Sequence, residues 1–219
     1  LPAMNGAAFR TLFRAEDRVR GLAPAAAASD EDYWSQISRA FDTDPTLVNL
    51  NNGGCSPAPA HVMEAMIRDL RFSNELPVEH MWGVLEPRIE SVRRDLAQMF
   101  GCDPEEMAIT RNASEAQEIM ILGMDLRRGD EVIVTNQNYG RMLTTWDQRA
   151  RRDGLVIKTI SLKGAPASDD DIVARFREAI TPRTKVIELT HITNLTGFIM
   201  PVRQVARLAR ERGIELFID

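Results

Sequence analysis

The chain has 219 residues, 44% hydrophobic and 27% charged. That is apolar matter enough for one large domain or two small ones, and too balanced for wholesale disorder. With 27 Lys plus Arg against 32 Asp plus Glu, the net charge of −5 makes no electrostatic case for nucleic acid or an anionic membrane as partner.

Residues 1–29, rich in Ala and Arg, read as a tail or linker. The first residue is Leu1 rather than Met, so a segment upstream is expected. The cytoplasm is the expected location, with export left open. A helix then starts near Ser29 and carries Tyr33, Trp34, Ile37 and Phe41 at helical spacing. Leu47 to Leu50 is short and extended, and leads into the turn-rich loop Asn51-Asn52-Gly53-Gly54-Cys55-Ser56-Pro57. Pro59 suits the first turn of a helix running to about Phe72. Another helix spans Glu86 to Phe100, with Ile89, Val92, Leu96 and Met99 on one face and Gly101 as its stop. Residues 30–100 thus read as a helical segment with a loop, and 101–219 as a separate α/β region.

From there strands and helices alternate. Strands are expected at Met107–Thr110, Glu131–Thr135, Leu155–Leu162, Lys185–His191 and Ile214–Asp219. Helices are expected at Ala113–Met124, Arg141–Arg152, from Ser168 on, and at Pro201–Arg212. Asp169, Asp170 and Asp171 sit in the first turn after Ser168, where they suit the positive end of the helix dipole. Repeated strand-helix-strand units predict a three-layer α/β/α fold around a mostly parallel sheet. Ligands bind such sheets at the carboxyl ends of the strands.

Several chemistries are absent at those ends. Cys55 and Cys102 form no CxxC, and His61, His80 and His191 form no HExxH, so no metal site is signalled. No GxxxxGK[ST], GxGxxG or GxSxG occurs. No apolar run approaches the ~20 residues of a membrane-spanning helix. What remains is a set of four junctions. Thr110-Arg111-Asn112-Ala113-Ser114-Glu115-Ala116 reads as a capped helix start whose N–H groups and hydroxyls suit a phosphate. Tyr139, after the second strand, suits the face of a planar ligand or ordinary rim packing. Asn194 offers a donor and an acceptor in a loop, or satisfies its own turn. Asp219 ends an apolar strand, where a carboxylate pairs a cationic ligand atom, caps a following helix or holds magnesium. An anchored phosphate, a covered ring, a polar group for a ring oxygen and an acid for a ring nitrogen are together what pyridoxal 5'-phosphate needs.

Leu50-Asn51-Asn52-Gly53-Gly54, the Thr110–Ala116 junction, Thr190-His191-Ile192-Thr193-Asn194 and Phe217-Ile218-Asp219, in that order, resemble the N-terminal half of a fold-type-I enzyme of the class V aminotransferase family. The likeness covers about Leu47 to Asp219 and is greatest to the isopenicillin-N-epimerase-like branch, with cysteine desulfurases as cousins. It implies pyridoxal 5'-phosphate as cofactor, with Ala113 and Ser114 at the phosphate, Tyr139 on the ring, Asn194 at the phenolic oxygen and Asp219 at the pyridine nitrogen. It implies a substrate loop at Asn51 and Gly53, with His80 approaching the cleft. It also implies a homodimer acting on an amino acid or amine, as isomerase, transferase or carbon–sulfur lyase.

The family's Schiff-base lysine follows this Asp and has no counterpart in the chain, where Lys158, Lys163 and Lys185 fall outside the role. The chain is therefore expected to be an inactive part of a longer protein. Desulfurases use a cysteine on a later loop that neither Cys55 nor Cys102 matches. The competing expectation is a non-catalytic phosphate- or nucleotide-binding module.

Overall fold

The structure is a computed structural model that describes residues 7–162 and 168–219. Two compact units divide the chain, Leu1–Ala108 and Ile109–Asp219.

The first unit is helical. It holds α1 (Ala7–Val19), α2 (Pro24–Ala28), α3 (Glu31–Ser38), α4 (Ala60–Glu75), a π-helical stretch Val78–Leu85, α5 (Glu86–Phe100) and a short 3-10 turn at Pro104–Glu106. Three expectations change here. Residues read as a tail or linker are helical from Ala7, because Ala and Arg are strong helix formers and long-range partners fix them. Arg18 of α1 reaches Asp30 and Asp32, each at 2.9 Å, and Asp30 also caps α3 by accepting from Tyr33 N–H at 2.9 Å. In α5, bounded as expected by the left-handed Gly101 (φ 72°), the buried residue is Ala97, while Ile89, Val92 and Met99 are exposed. The break between the units also falls further along than residue 100.

The second unit carries α6 (Ala113–Gly123), β1 (Glu131–Thr135), α7 (Gly140–Asp153), β2 (Val156–Ile160), α8 (Asp169–Ala179), β3 (Thr184–Leu189), α9 (Val202–Arg212) and β4 (Glu215–Ile218). The four strands form one sheet in the order β2-β1-β3-β4, and every pairing is parallel. Met107–Thr110 is extended but is not a strand, since among the described residues nothing pairs with it. Lys163 lies outside the described residues.

Side chains alternate across the sheet and fill two cores. Ile133, Ile187 and Leu189 pack with Ile172 and Phe176 of α8 and Val205 and Leu208 of α9. Val132, Val134 and Val186 pack with Ile121 of α6 and Met142 and Trp146 of α7. These are the two helical layers expected of a parallel sheet buried on both faces. Arg149 of α7 is buried and donates its guanidinium to the carbonyls of Ile121 and Met124, at the end of α6, with Asp153 as counter-ion at 2.9 Å. It thereby ties α6 to α7.

The amino end of the sheet is held by Glu131, which is only 2% exposed. Its carboxylate accepts from Thr181 Oγ1 at 2.6 Å, Thr184 Oγ1 at 3.1 Å, Lys158 Nζ at 3.1 Å and Arg183 Nη2 at 3.0 Å. The Thr181 hydroxyl, then Lys158 and Arg183, outweigh burial and hold the carboxyl at about 2. The folded value lies below the ordinary glutamate value, so this stabilisation is present above the ordinary value and is lost as pH falls towards about 2. Glu131→Gln in the full-length protein is expected to cost about 2 kcal/mol at neutral pH, because two cations and two hydroxyls lose their anion. Urea unfolding from pH 7 to pH 3 checks it, and the variant should show a flatter acid slope than the parent.

Candidate functional site

Helix α6 starts at the first junction as the sequence predicts. Asn112 is its N-cap, extended at φ −167°, and its Oδ1 accepts from Glu115 N–H at 2.9 Å. Glu115 folds back on Arg111, accepting from its N–H at 2.7 Å and its Nη2 at 2.8 Å. The Arg111 side chain and backbone N–H together lower the Glu115 carboxyl below its usual range. Asn112 and Glu115 therefore occupy each other and the Arg111 N–H. The N–H groups of Ala113 and Ser114, at the first two helical positions, have no partner among the described residues and point at the free end of α6. That is the arrangement an anion needs.

One turn along the same helix, Gln117 Nε2 donates to Asp219 Oδ1 at 2.7 Å. Asp219 follows β4 and extends its ladder, its N–H bonding Leu189 O at 3.0 Å and its carbonyl accepting from His191 N–H at 2.7 Å. Burial pushes the Asp219 carboxyl up from its ordinary value, against the pull of Gln117 and Thr190. One helix thus presents the anion donors and also fixes the carboxylate.

Tyr139 is the N-cap of α7 and is 38% exposed, with its carbonyl taking the N–H groups of Met142 and Leu143. Its neighbour Asn138 is buried. Asn138 Oδ1 accepts from Thr135 N–H at 3.0 Å and Thr135 Oγ1 at 2.7 Å, and its Nδ2 donates to Glu188 O at 3.1 Å. The ring is free on the surface while its backbone is bolted to β1 and β3. Asn194 lies in a tongue after β3, closed by the pairing of Ile192 with Ile199 and by the Thr193–Thr196 hydroxyl contact at 2.6 Å. Gly197 N–H to Thr193 O at 2.8 Å completes it, and Gly197 takes φ 68°, which favours glycine. Asn194 is exposed and its side chain makes no bond among the described residues, so it is not spent on its own turn.

The substrate candidates belong to the first unit. The Asn51 N–H donates to Asn49 Oδ1 at 2.9 Å, and the Asn51 carbonyl accepts from the N–H groups of Gly54 and Cys55, with Gly53 in between. His80 is stacked on Phe72 with ring centroids 3.6 Å apart, and its Nδ1 meets Phe72 O at 2.6 Å. Two lysines are also placed. Lys158 is spent on Glu131 and on Ala179 O at 2.7 Å, and Lys185 is exposed at the start of β3, so neither serves the carboxyl edge.

Sequence reasoning missed Gln117 and Glu188, and gave no role to Asn138 and Thr190, which sit in junctions that it singled out. Gln117 carried a signal, its spacing of one turn from Ser114. Two buried oxygens here, Gln117 Oε1 and Gln137 Oε1, have no partner among the described residues. Gln117 Oε1 is on the side chain that donates to Asp219, and Gln137 sits in the turn after β1, bonded through its N–H to Thr135 Oγ1; a polar ligand at the carboxyl edge would satisfy them. The donor set fits pyridoxal 5'-phosphate on that ground.

Fold and site together define an α/β protein with free helix N–H groups and a partly buried carboxylate at the carboxyl edge of a parallel sheet, where such folds bind ligands. The chain belongs to the class V aminotransferase family, whose profile it matches over residues 48–219. It is 29% identical to isopenicillin N epimerase of Amycolatopsis lactamdurans, over 85% of this chain and 47% of that protein. It is 28% identical to a probable cysteine desulfurase of Synechocystis, over 90% of this chain and 47% of that protein. The chain spans about half the length of the curated relatives it matches. Among solved structures it is similar to the cystine C-S lyase C-DES, with TM-score 0.70 and 22% identity over 76% of this chain and 45% of that one. It is also similar to an apo cysteine desulfurase from Thermococcus onnurineus, with TM-score 0.67 and 21% identity over 84% of this chain and 46% of that one. These likenesses establish the fold.

Gln117→Leu is expected to raise the Asp219 carboxyl further, since it removes a donor that favours the charged form. Carbon-13 NMR of the Asp219 carboxyl in the full-length protein reads the midpoint. A midpoint that stays put or falls rules out the Gln117 contact as a determinant of that charge.

Proposed function

We propose that this chain supplies the phosphate, ring-face and ring-nitrogen contacts of a pyridoxal 5'-phosphate enzyme acting on an amino acid or amine. The observation that carries the reading is the bond from Gln117 to Asp219 on the helix whose first turn holds the free N–H groups of Ala113 and Ser114. A phosphate on that turn and a ring nitrogen at Asp219 are the two ends of one flat ligand. Tyr139 covers the ring face and Asn194 meets the phenolic oxygen. When bound, the cofactor withdraws electrons from the substrate's α-carbon.

The chain's own residues set the conditions for that chemistry. Asp219 keeps a proton on the ring nitrogen, because an opposite charge close by favours the charged form. Ala113 and Ser114 neutralise the phosphate by hydrogen bonding and by the helix dipole. Asn51, Gly53 and His80 are proposed to serve the substrate. The reaction is proposed to be of the epimerase or aminotransferase type, in keeping with the likeness to isopenicillin N epimerase, with a cysteine desulfurase or carbon–sulfur lyase of the same family as the alternative. A homodimer is proposed with it, and a cytoplasmic setting, in which free thiols persist.

The test is spectroscopic. Full-length protein is expected to be yellow with pyridoxal 5'-phosphate, and borohydride should fix the colour. A colourless protein that binds nucleotide supports the non-catalytic module instead. Asp219→Asn is expected to retain cofactor and to slow single-turnover chemistry about 100-fold or more, since charge stabilisation is commonly the largest catalytic effect. An Asn variant as fast as the parent removes Asp219 from the mechanism. Tyr139→Phe is expected to keep cofactor affinity and Tyr139→Ala to weaken it by about 1 kcal/mol, since stacking uses the ring face. Equilibrium binding of the cofactor to the two variants decides that point.

A further inference from the structure

Two glutamates of the sheet are almost wholly buried, Glu131 at 2% exposure and Glu188 at 1%. Their surroundings are opposite. Glu131 meets two cations and two hydroxyls. Glu188 meets one side-chain donor, the Trp146 indole N–H on Oε2, and its Oε1 has no partner among the described residues. An unpaired carboxylate so deeply buried is costly, and an acid in that position takes a proton instead.

Its position is also telling. Glu188 faces Phe217 across the β3–β4 ladder, so on that face of the sheet Thr190 and Asp219 come next along their strands. Its backbone carbonyl holds Asn138, the residue before Tyr139, and its side chain holds Trp146, two turns into α7. One residue therefore joins the helix that starts with Tyr139 to the strand beside Asp219.

We propose that Glu188, as a neutral carboxylic acid, is a positioning residue for the cofactor ring. It fixes the start of α7, and so Tyr139, against β3, and it leaves Asp219 the sole negative charge under the ring nitrogen. This rests on the cofactor reading of the site. The charged groups around Glu188 agree with it. Arg149, one turn beyond Trp146, spends its guanidinium on Ile121 O, Met124 O and Asp153. From β4 the charged group that acts on Glu188 is Asp219, a like charge. From α6 the facing polar group is Gln117, already bonded to Asp219. Burial first, and then Asp219, push the Glu188 carboxyl above its ordinary value, against Trp146 and Asn138.

The experiment uses full-length protein, with and without pyridoxal 5'-phosphate, labelled with carbon-13 glutamate for infrared spectroscopy. At neutral pH the carbonyl band of a protonated acid is expected in the parent and is expected to vanish in Glu188→Gln. The amide keeps an acceptor for Trp146, so Glu188→Gln should hold cofactor affinity within about twofold and leave its absorption maximum in place. Glu188→Leu should weaken affinity about tenfold and shift the absorption, because the side-chain link between Trp146 of α7 and β3 is lost and the indole N–H is left unpaired, while the backbone bond to Asn138 remains. Should Glu188→Leu fail to fold, Trp146→Phe, which removes the indole donor together with part of its buried ring, is expected to shift the absorption in the same sense. Absence of the band, or a Gln variant as impaired as the Leu variant, overturns the neutral acid. Parental affinity and spectrum in both Glu188→Leu and Trp146→Phe overturn the positioning role. A parent that binds no cofactor at all overturns the underlying site reading, and the band in cofactor-free protein then still decides the charge of Glu188.

Discussion

The parallel pairing of β3 with β1 on one side and β4 on the other sets every distance at the carboxyl edge of the sheet. Because both ladders are parallel, the ends of β1, β3 and β4 stop at one edge, and the loops after β1 and β3 leave it together. Side-chain alternation then decides what faces which helix. Val186 and Glu188 face α7, and Ile187 and Leu189 face the opposite core. A one-residue slip in β3 would place Glu188 among Phe176 and Val205 and bring Leu189 under the indole. Packing and site therefore share one register, and neither can change without the other.

The sheet separates two uses of buried charge. At its amino end, Glu131 is surrounded by groups that want an anion, and the result is a clamp joining β1, β2 and the turn before β3. At its carboxyl end, Asp219 is only partly satisfied and sits in company that raises its carboxyl. The first arrangement spends all its hydrogen bonds on the fold. The second leaves oxygens of Gln117 and Gln137 without partners among the described residues, unlike the fully spent carboxylate of Glu131.

Much of this was legible in the sequence because the signals are local. Gly101, Gly154 and Gly213 all end helices in the left-handed region, and Ser168 and Asn112 cap where their spacing says. Residues that follow strands, such as Tyr139, Asn194 and Asp219, were found by knowing where the strands end. What could not be read depends on partners distant in the chain. Helix α1 looks like a low-complexity tail until Arg18 meets Asp30 and Asp32. Met107–Thr110 has strand composition, but pairing, not composition, makes a strand. Glu188 is one acid inside an apolar run, and its role exists only because Trp146 and Asp219 arrive from elsewhere.

The strand order also has a cost in time. β1 is the first strand of the sheet in the chain, yet it lies inside it, between strands made later. During synthesis Val132, Ile133 and Val134 emerge before β2 exists, and β3 follows only after another helix. Parallel pairings of this kind close long loops before any ladder bond forms, which slows folding and prolongs the exposure of apolar strand. Arg149 shortens that interval on one face, since α6 and α7 flank β1 in sequence and can clasp through the Ile121 and Met124 carbonyls as soon as α7 is complete. The buried arginine thus joins two helices that cover one face of β1 through contacts that need neither β3 nor β4.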